Sequence, residues 1–229
     1  VDDTPGRIGD EAAAWGVASP GEARWPALLA VTVAIALQLV LPDRLTRGLG
    51  DPIWIPAMEG ALIVVLLVTN PGTISREESR LRAVGILLIA VITFSNFVSL
   101  GELIHALLYG SKAGGRSLVY ASVPVWLTNV IAFGLWYWEL DRGGPAARRS
   151  PDHRYPDFLF PQMSVPACSP GWTPTFFDYL YTSFTNATAF SPTDTMPLSA
   201  WAKLLMMFQS LASLVTVAVV VSRAVNILG

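Results

Sequence analysis

The chain has 229 residues, of which 52% are hydrophobic and 14% charged, and its formal net charge is −2. A soluble domain of this length usually carries about 25% charged residues, so the composition excludes an ordinary soluble globular protein. There is no basic stripe for nucleic acid. No phosphate-binding glycine loop, zinc-ligand spacing or hydrolase triad supports an enzyme or a cofactor.

Residues 1–24 are acidic, Ala/Gly-rich and not apolar, which reads as a soluble tail and not a signal peptide. Apolar runs follow at 25–41, 53–69, 81–109, 118–140 and 199–228. Crossing ~30 Å of hydrocarbon takes roughly 20 helical residues. The pattern therefore predicts an all-α membrane protein with five transmembrane helices, the third long enough to tilt or project. The regions are a tail (1–24), a three-helix membrane region (25–117) and a C-terminal module (118–229).

The connections are unequal. Segments 42–52 and 110–117 are short turns, the second softened by Gly114-Gly115. Segment 70–80 is a polar hairpin with Thr73 or Ser75 as N-cap of the third span. Segment 141–171 is a connector of about thirty residues, rich in Pro, Gly and Arg, with an apolar patch at 158–160. A connector this long is functional or disordered as a rule, and here it is expected to form a surface turret. It holds the only cysteine, Cys168, which has no intrachain disulfide partner, and also His153.

Residues 173–188 (TPTFFDYLYTSFTNAT) read as a helix too short and too polar to cross a bilayer alone. Residues 189–197 (AFSPTDTMP) contain two prolines and cannot extend it. Non-helical backbone at membrane depth survives where protein buries it or where it lines a water-filled cavity. Half-helix, hydroxyl-rich loop and full span together predict a re-entrant pore loop. Trp136, Tyr137 and Trp138, with Trp172 and Trp201, are expected at the headgroup level. If the half-helix returns to its own side, all of them fall on one face.

On that face, with the N-terminus, 70–80 and the long connector, lie ten of the basic residues considered, among them Arg24, Arg82 and Arg148. The opposite face carries five, Arg44, Arg47, Lys112, Arg116 and Arg223. The positive-inside rule places the first face in the cytoplasm, whereas potassium-type pores enter from outside. Orientation stays open.

Ionisable groups within spans are costly and default to a functional hypothesis. In the third span Ser95, Asn96, Ser99, Glu102 and His105 form a polar stripe expected to face other helices. Glu102 and His105, at i and i+3, have the spacing of carboxylate-bridged di-iron bundles. The spans lack the second Glu-x-x-His that such a metal site needs. Glu59 is the only other well-embedded acid, and a proton or ion relay through Glu59, Glu102 and His105 is an alternative. Asn129 and Gln209 read as interhelical hydrogen-bonding groups, Arg223 as a snorkelling cation and Met206-Met207 as packing. The sequon Asn186-Ala187-Thr188 lies inside the half-helix and is discounted.

From Asp178 onward, DYLYTSFTNATAFSPTDTMPLSAWAKLLMM resembles the pore module of the tetrameric potassium-channel superfamily: pore helix, filter strand, acid, inner helix. The chain also resembles a family of uncharacterised bacterial multi-pass membrane proteins with a DYLY-x-x-FT pore helix and no glycine filter. The resemblance implies an outer helix (118–140), a turret (141–172), a pore helix (173–188), a loop (189–197) and an inner helix (198–228). It also implies four copies around an axis, in an inner (plasma) membrane. A potassium filter needs glycines so that successive carbonyls can face the ion. The matching stretch here has none, and Pro192 fixes one φ. What remains is a ring built from Thr188, Ser191, Thr193, Asp194 and Thr195, shaped by Pro192. Acidic rings favour cations.

Three functions follow as expectations. The first is an ion-channel-like tetramer that takes an inorganic ion. The second is a non-conducting scaffold or accessory subunit on the same fold. The third is a small transporter or proton relay using Glu102.

Overall fold

The structure, a computed structural model, describes residues 22, 24–41, 54–68, 76–109, 115–149, 155–165, 171–188 and 194–228. In chain order these form α1 (Trp25–Val40), α2 (Trp54–Val68), α3 (Arg76–Leu108) and α4 (Gly115–Leu140). Then come β1 (Phe158–Leu159), α5 (Pro161–Ser164), α6 (Phe176–Thr188), β2 (Met196–Pro197) and α7 (Ala200–Leu228). The protein is mostly helical.

Among the described residues three helices are long and apolar enough to cross a membrane: α3 over Arg82–Leu108, α4 over Ser117–Gly143 and α7 over Ala200–Ser222. α1 has 16 residues and α2 has 15, short of the roughly 20 a straight span needs. Thr73 and Ser75 lie outside the described residues.

α4 is the hub. Of its apolar window 67% is buried, against 39% for α3 and 33% for α7. It packs on α7, α6, α3 and α1. Gly134 explains how α6 reaches it so closely: a Cβ there would lie 3.1 Å from the Leu180 Cα. Small residues on α1 (Ala27, Ala30, Ala34) serve the same purpose on the other flank, as at membrane helix contacts generally.

The long connector is not a free turret. α4 stops at three successive left-handed residues, Arg142 (φ 52°), Gly143 (84°) and Gly144 (97°). Only Arg142 carries the Cβ penalty of that region. Its backbone N–H donates to Asp157 Oδ2 at 2.8 Å and its Nε to Asp141 Oδ2 at 3.1 Å, which hold it there. Further on, Phe158, Phe160 and Met163 are buried. Side chains alternate along an extended strand, so the segment Phe158-Leu159-Phe160 turns both phenylalanines inward. Phe158 stacks among Tyr137, Tyr179 and Trp201, and Phe160 against Trp172 and Tyr179. Cys168 and His153 lie outside the described residues.

The aromatic residues at the end of α4 meet different surroundings. Successive helical residues point about 100° apart, so Trp136, Tyr137 and Trp138 cannot share a lipid face. Tyr137 is fully buried. Trp136 donates to Thr93 Oγ1 at 2.9 Å, and Trp138 donates to the Glu22 carboxylate.

Candidate functional site: a half-length helix and its return

α6 begins with one half of a capping box, Asp178 reaching back to the residue before the helix. The Thr175 backbone N–H and hydroxyl both donate to Asp178 Oδ2, at 2.7 and 2.8 Å. Its 13 residues rise about 20 Å, less than the ~30 Å of a hydrocarbon core. The chain then comes back. Thr182 Oγ1 donates to Thr195 Oγ1 at 3.2 Å, so the residue after Asp194 stands beside the middle of α6. Met196 and Pro197 pair antiparallel with Leu159 and Phe158. Leu198 N–H donates to Asp157 O at 2.8 Å. Entry and exit of the excursion thus meet at one level, next to the end of α4.

That level is fastened by Asp141, which is fully buried. Its Oδ1 accepts from the backbone N–H of Asp157 (2.8 Å) and Phe158 (3.4 Å), and its Oδ2 from the Tyr179 hydroxyl (2.6 Å). Arg148, also buried, donates to Trp138 O (2.8 Å), Asp141 O (3.0 Å) and the Glu22 carboxylate (3.0 Å), and lies over the Tyr179 ring. Burial works against its charge, but Tyr179, Glu22 and Asp141 outweigh it and raise the guanidinium pKa above its ordinary value. One carboxylate and one arginine, both multiply bonded, tie the end of α4, the connector, β1 and α6 into a single joint.

Deeper in, a second network locks α6 between α4 and α7. Gln209 Nε2 donates to Ser183 Oγ (2.6 Å) and Ser183 O (2.9 Å). Gln209 Oε1 accepts from Tyr137 OH (2.5 Å) and Asn186 Nδ2 (2.8 Å). Ser183 Oγ donates to Val130 O at 2.6 Å, Ser210 Oγ to Asn186 Oδ1 at 3.1 Å and Asn129 Nδ2 to Ser213 Oγ at 3.0 Å. Gln209 and Asn129 are therefore interhelical hydrogen-bonding groups, and the Asn186 amide is engaged in packing.

The loop residues divide. Thr188 is exposed, with its hydroxyl donating to Phe184 O at 2.9 Å on its own helix. Asp194 is exposed. Thr195, expected in the ring, is buried against Thr182. The strand pairing that follows Thr195 brings the chain back beside α6, and this turns the hydroxyl inward. Ser191, Pro192 and Thr193 lie outside the described residues, as does the Arg223 side chain.

The expected stripe on α3 holds in its first half. Ser95, Asn96 and Ser99 are buried, Glu102 is half-buried and His105 is exposed, against the Tyr109 ring. The reason is angular. The buried face centres near Ser99, and His105 lies about 120° around the helix from it. Glu59 meets neither Glu102 nor His105. Its Oε1 accepts from Gln38 Nε2 at 3.2 Å, and Gln38 Oε1 accepts from Ser95 at 2.9 Å. Glu59 is fully buried, and its Oε2 has no hydrogen-bond partner among the described residues. No group of three His, Cys, Asp or Glu suited to a metal occurs among them.

Sequence reasoning passed over Gln38, Asp141, Arg148 and Tyr179. Gln38 had a signal, as the only amide in the first apolar run. Asp141 and Arg148 had none, since an acid and an arginine beyond a span read as ordinary surface charges. Set against known protein families, curated proteins and solved structures, the chain finds no match.

Proposed function

We propose that this is an ion-channel-like membrane protein in which several copies, four by the resemblance of its C-terminal module, bring their 189–195 loops around a shared axis. The observation that carries this reading is a half-length helix whose departure and return stand together at one end of the bundle, beside the end of α4. A helix that enters and returns on one side is useful at membrane depth where its turn meets water or other copies. α6 also presents an exposed stripe of Phe177, Tyr181, Phe184 and Thr188, at i, i+4, i+7 and i+11, which suits contact with a neighbouring copy. In this reading α1 and α2 complete five crossings in an inner membrane, and Asp194 sets the preference for cations. The absence of any filter glycine argues against potassium selectivity.

The test is cation flux into vesicles holding the purified protein, with Asp194→Asn as the comparison. The reading expects flux whose cation-over-anion preference falls in the variant. Absent flux, or a preference unmoved by the substitution, counts against it.

The scaffold alternative draws support from the inward turn of Thr195 and from a network that satisfies Gln209, Ser183 and Asn186 within one chain. It expects no flux from a correctly folded protein. A relay through Glu102 lacks the buried His105 it would use.

A further inference from the structure

Between α1, α3, α4 and the start of the connector lies a cleft of about 120 Å³. Its walls include Val31, Leu88, Ile89 and Leu135, which belong to the main apolar core. One water needs about 10–15 Å³ by the same measure, so the space suits a chain of atoms, and its lining is too apolar to hold a column of water. Arg24, Arg82 and Glu139 stand at its mouth. Arg82 Nε donates to Glu139 Oε1 at 2.9 Å. Arg24 is exposed and makes no ion pair among the described residues. Among the described residues the mouth therefore keeps one positive charge in excess.

The mouth also has a definite height. Arg24 immediately precedes the apolar helix α1, Arg82 opens the apolar window of α3, and Glu139 lies near the end of that of α4. All three sit where hydrocarbon gives way to headgroups.

We infer that this cleft seats one anionic phospholipid, an acyl chain between α1 and α3 and the phosphate at Arg24 and Arg82. The apolar walls disfavour a soluble anion as the main occupant, and the surplus cation selects an anionic headgroup over a zwitterionic one. Basic pockets between membrane helices hold lipid headgroups by this combination. The same face carries most of the chain's arginines, and the positive-inside rule assigns it to the leaflet rich in anionic lipid.

Gly85 supplies the test. It lines the cleft, and a Cβ on it would meet nothing within 4 Å. Gly85→Leu therefore adds bulk to the cleft from a position whose Cβ meets no protein atom, and leucine is the better helix former. Arg24→Gln removes the surplus charge at an exposed position and leaves the Arg82–Glu139 pair intact. The full chain is reconstituted in nanodiscs of phosphatidylcholine with an equal share of phosphatidylglycerol, released into mild detergent and weighed by native mass spectrometry. The expected result is one retained phosphatidylglycerol per chain, lost in Gly85→Leu at unchanged thermal midpoint. Arg24→Gln should lose the preference over phosphatidylcholine. Equal retention of both lipids by the unmodified chain overturns the headgroup assignment. Retention unchanged in Gly85→Leu, or no retained lipid because detergent or the chain's own 1–21 segment fills the space, overturns the site. Inorganic phosphate that stabilises the lipid-free protein as much as the lipid does would identify a phosphate site instead.

Discussion

Two buried polar clusters divide the molecule, and they are built on opposite principles. In the C-terminal half, Gln209 uses both ends of its amide and Asp141 uses both carboxylate oxygens, each bridging several elements. In the N-terminal half, the chain Ser95–Gln38–Glu59 runs in single file and ends on a carboxylate oxygen with no partner among the described residues. At the margin of the C-terminal network Thr128 Oγ1, Asn129 Oδ1 and Gln162 Oε1 also lack a partner among the described residues, so the contrast lies between Gln209 and Asp141 on one side and Glu59 on the other. A fully satisfied buried group fixes its neighbours, and a partly satisfied one is expensive. The N-terminal half stores an unspent hydrogen-bonding capacity in Glu59.

Substitutions can break this contrast. The largest effect is expected at Asp141→Ala, which unpairs two backbone N–H groups and the Tyr179 hydroxyl and removes the acid beside buried Arg148. Removing one partner of a buried charged cluster costs about 3–5 kcal/mol. Unfolding in detergent should show this loss, and a shift under 1 kcal/mol would deny Asp141 its fastening role. Gln209→Leu comes next. It strands Ser183, Tyr137 and Asn186, and leaving buried groups unpaired costs about 1–3 kcal/mol each. Lipid-embedded bonds measure nearer 0.6 kcal/mol, so a total of about 2 kcal/mol is expected from the same unfolding assay.

Glu59→Gln should do the reverse. The amide still accepts from Gln38 and carries no charge to bury, so stability should hold or rise. A loss comparable to that of Gln209→Leu would show that Glu59 is as fully engaged as the C-terminal network, and the contrast would fail. Asp194→Asn is the smallest structural perturbation. The side chain is exposed, so the unfolding midpoint should stay within about 0.5 kcal/mol while the cation preference of any flux falls.

Much of the fold was legible from hydropathy. The apolar runs located the helices, the polar and aromatic run 173–188 gave the half-helix, and the amides Asn129 and Gln209 announced interhelical bonds because an amide in an apolar run has few other uses. Less was legible wherever identity depended on partners distant in sequence. Asp141 is read only when Asp157, Phe158 and Tyr179 arrive around it. Phe158 and Phe160 looked like a patch on a turret until strand pairing with Met196 and Pro197 turned them inward. His105 shared a span with Ser95 but not its face. Thr195 was placed in a ring of hydroxyls by the channel resemblance, and within one chain it is buried against Thr182.

The central claim is that the half-helix serves an axis shared between copies. The most direct measurement is the mass of the purified complex in a mild detergent. The account predicts four copies, held in part through the Phe177, Tyr181 and Phe184 stripe, so that Tyr181→Ser should lower the assembly without unfolding the chain. A monomer, or a dimer with no axis for the loops to surround, would contradict it and leave the scaffold reading in its place.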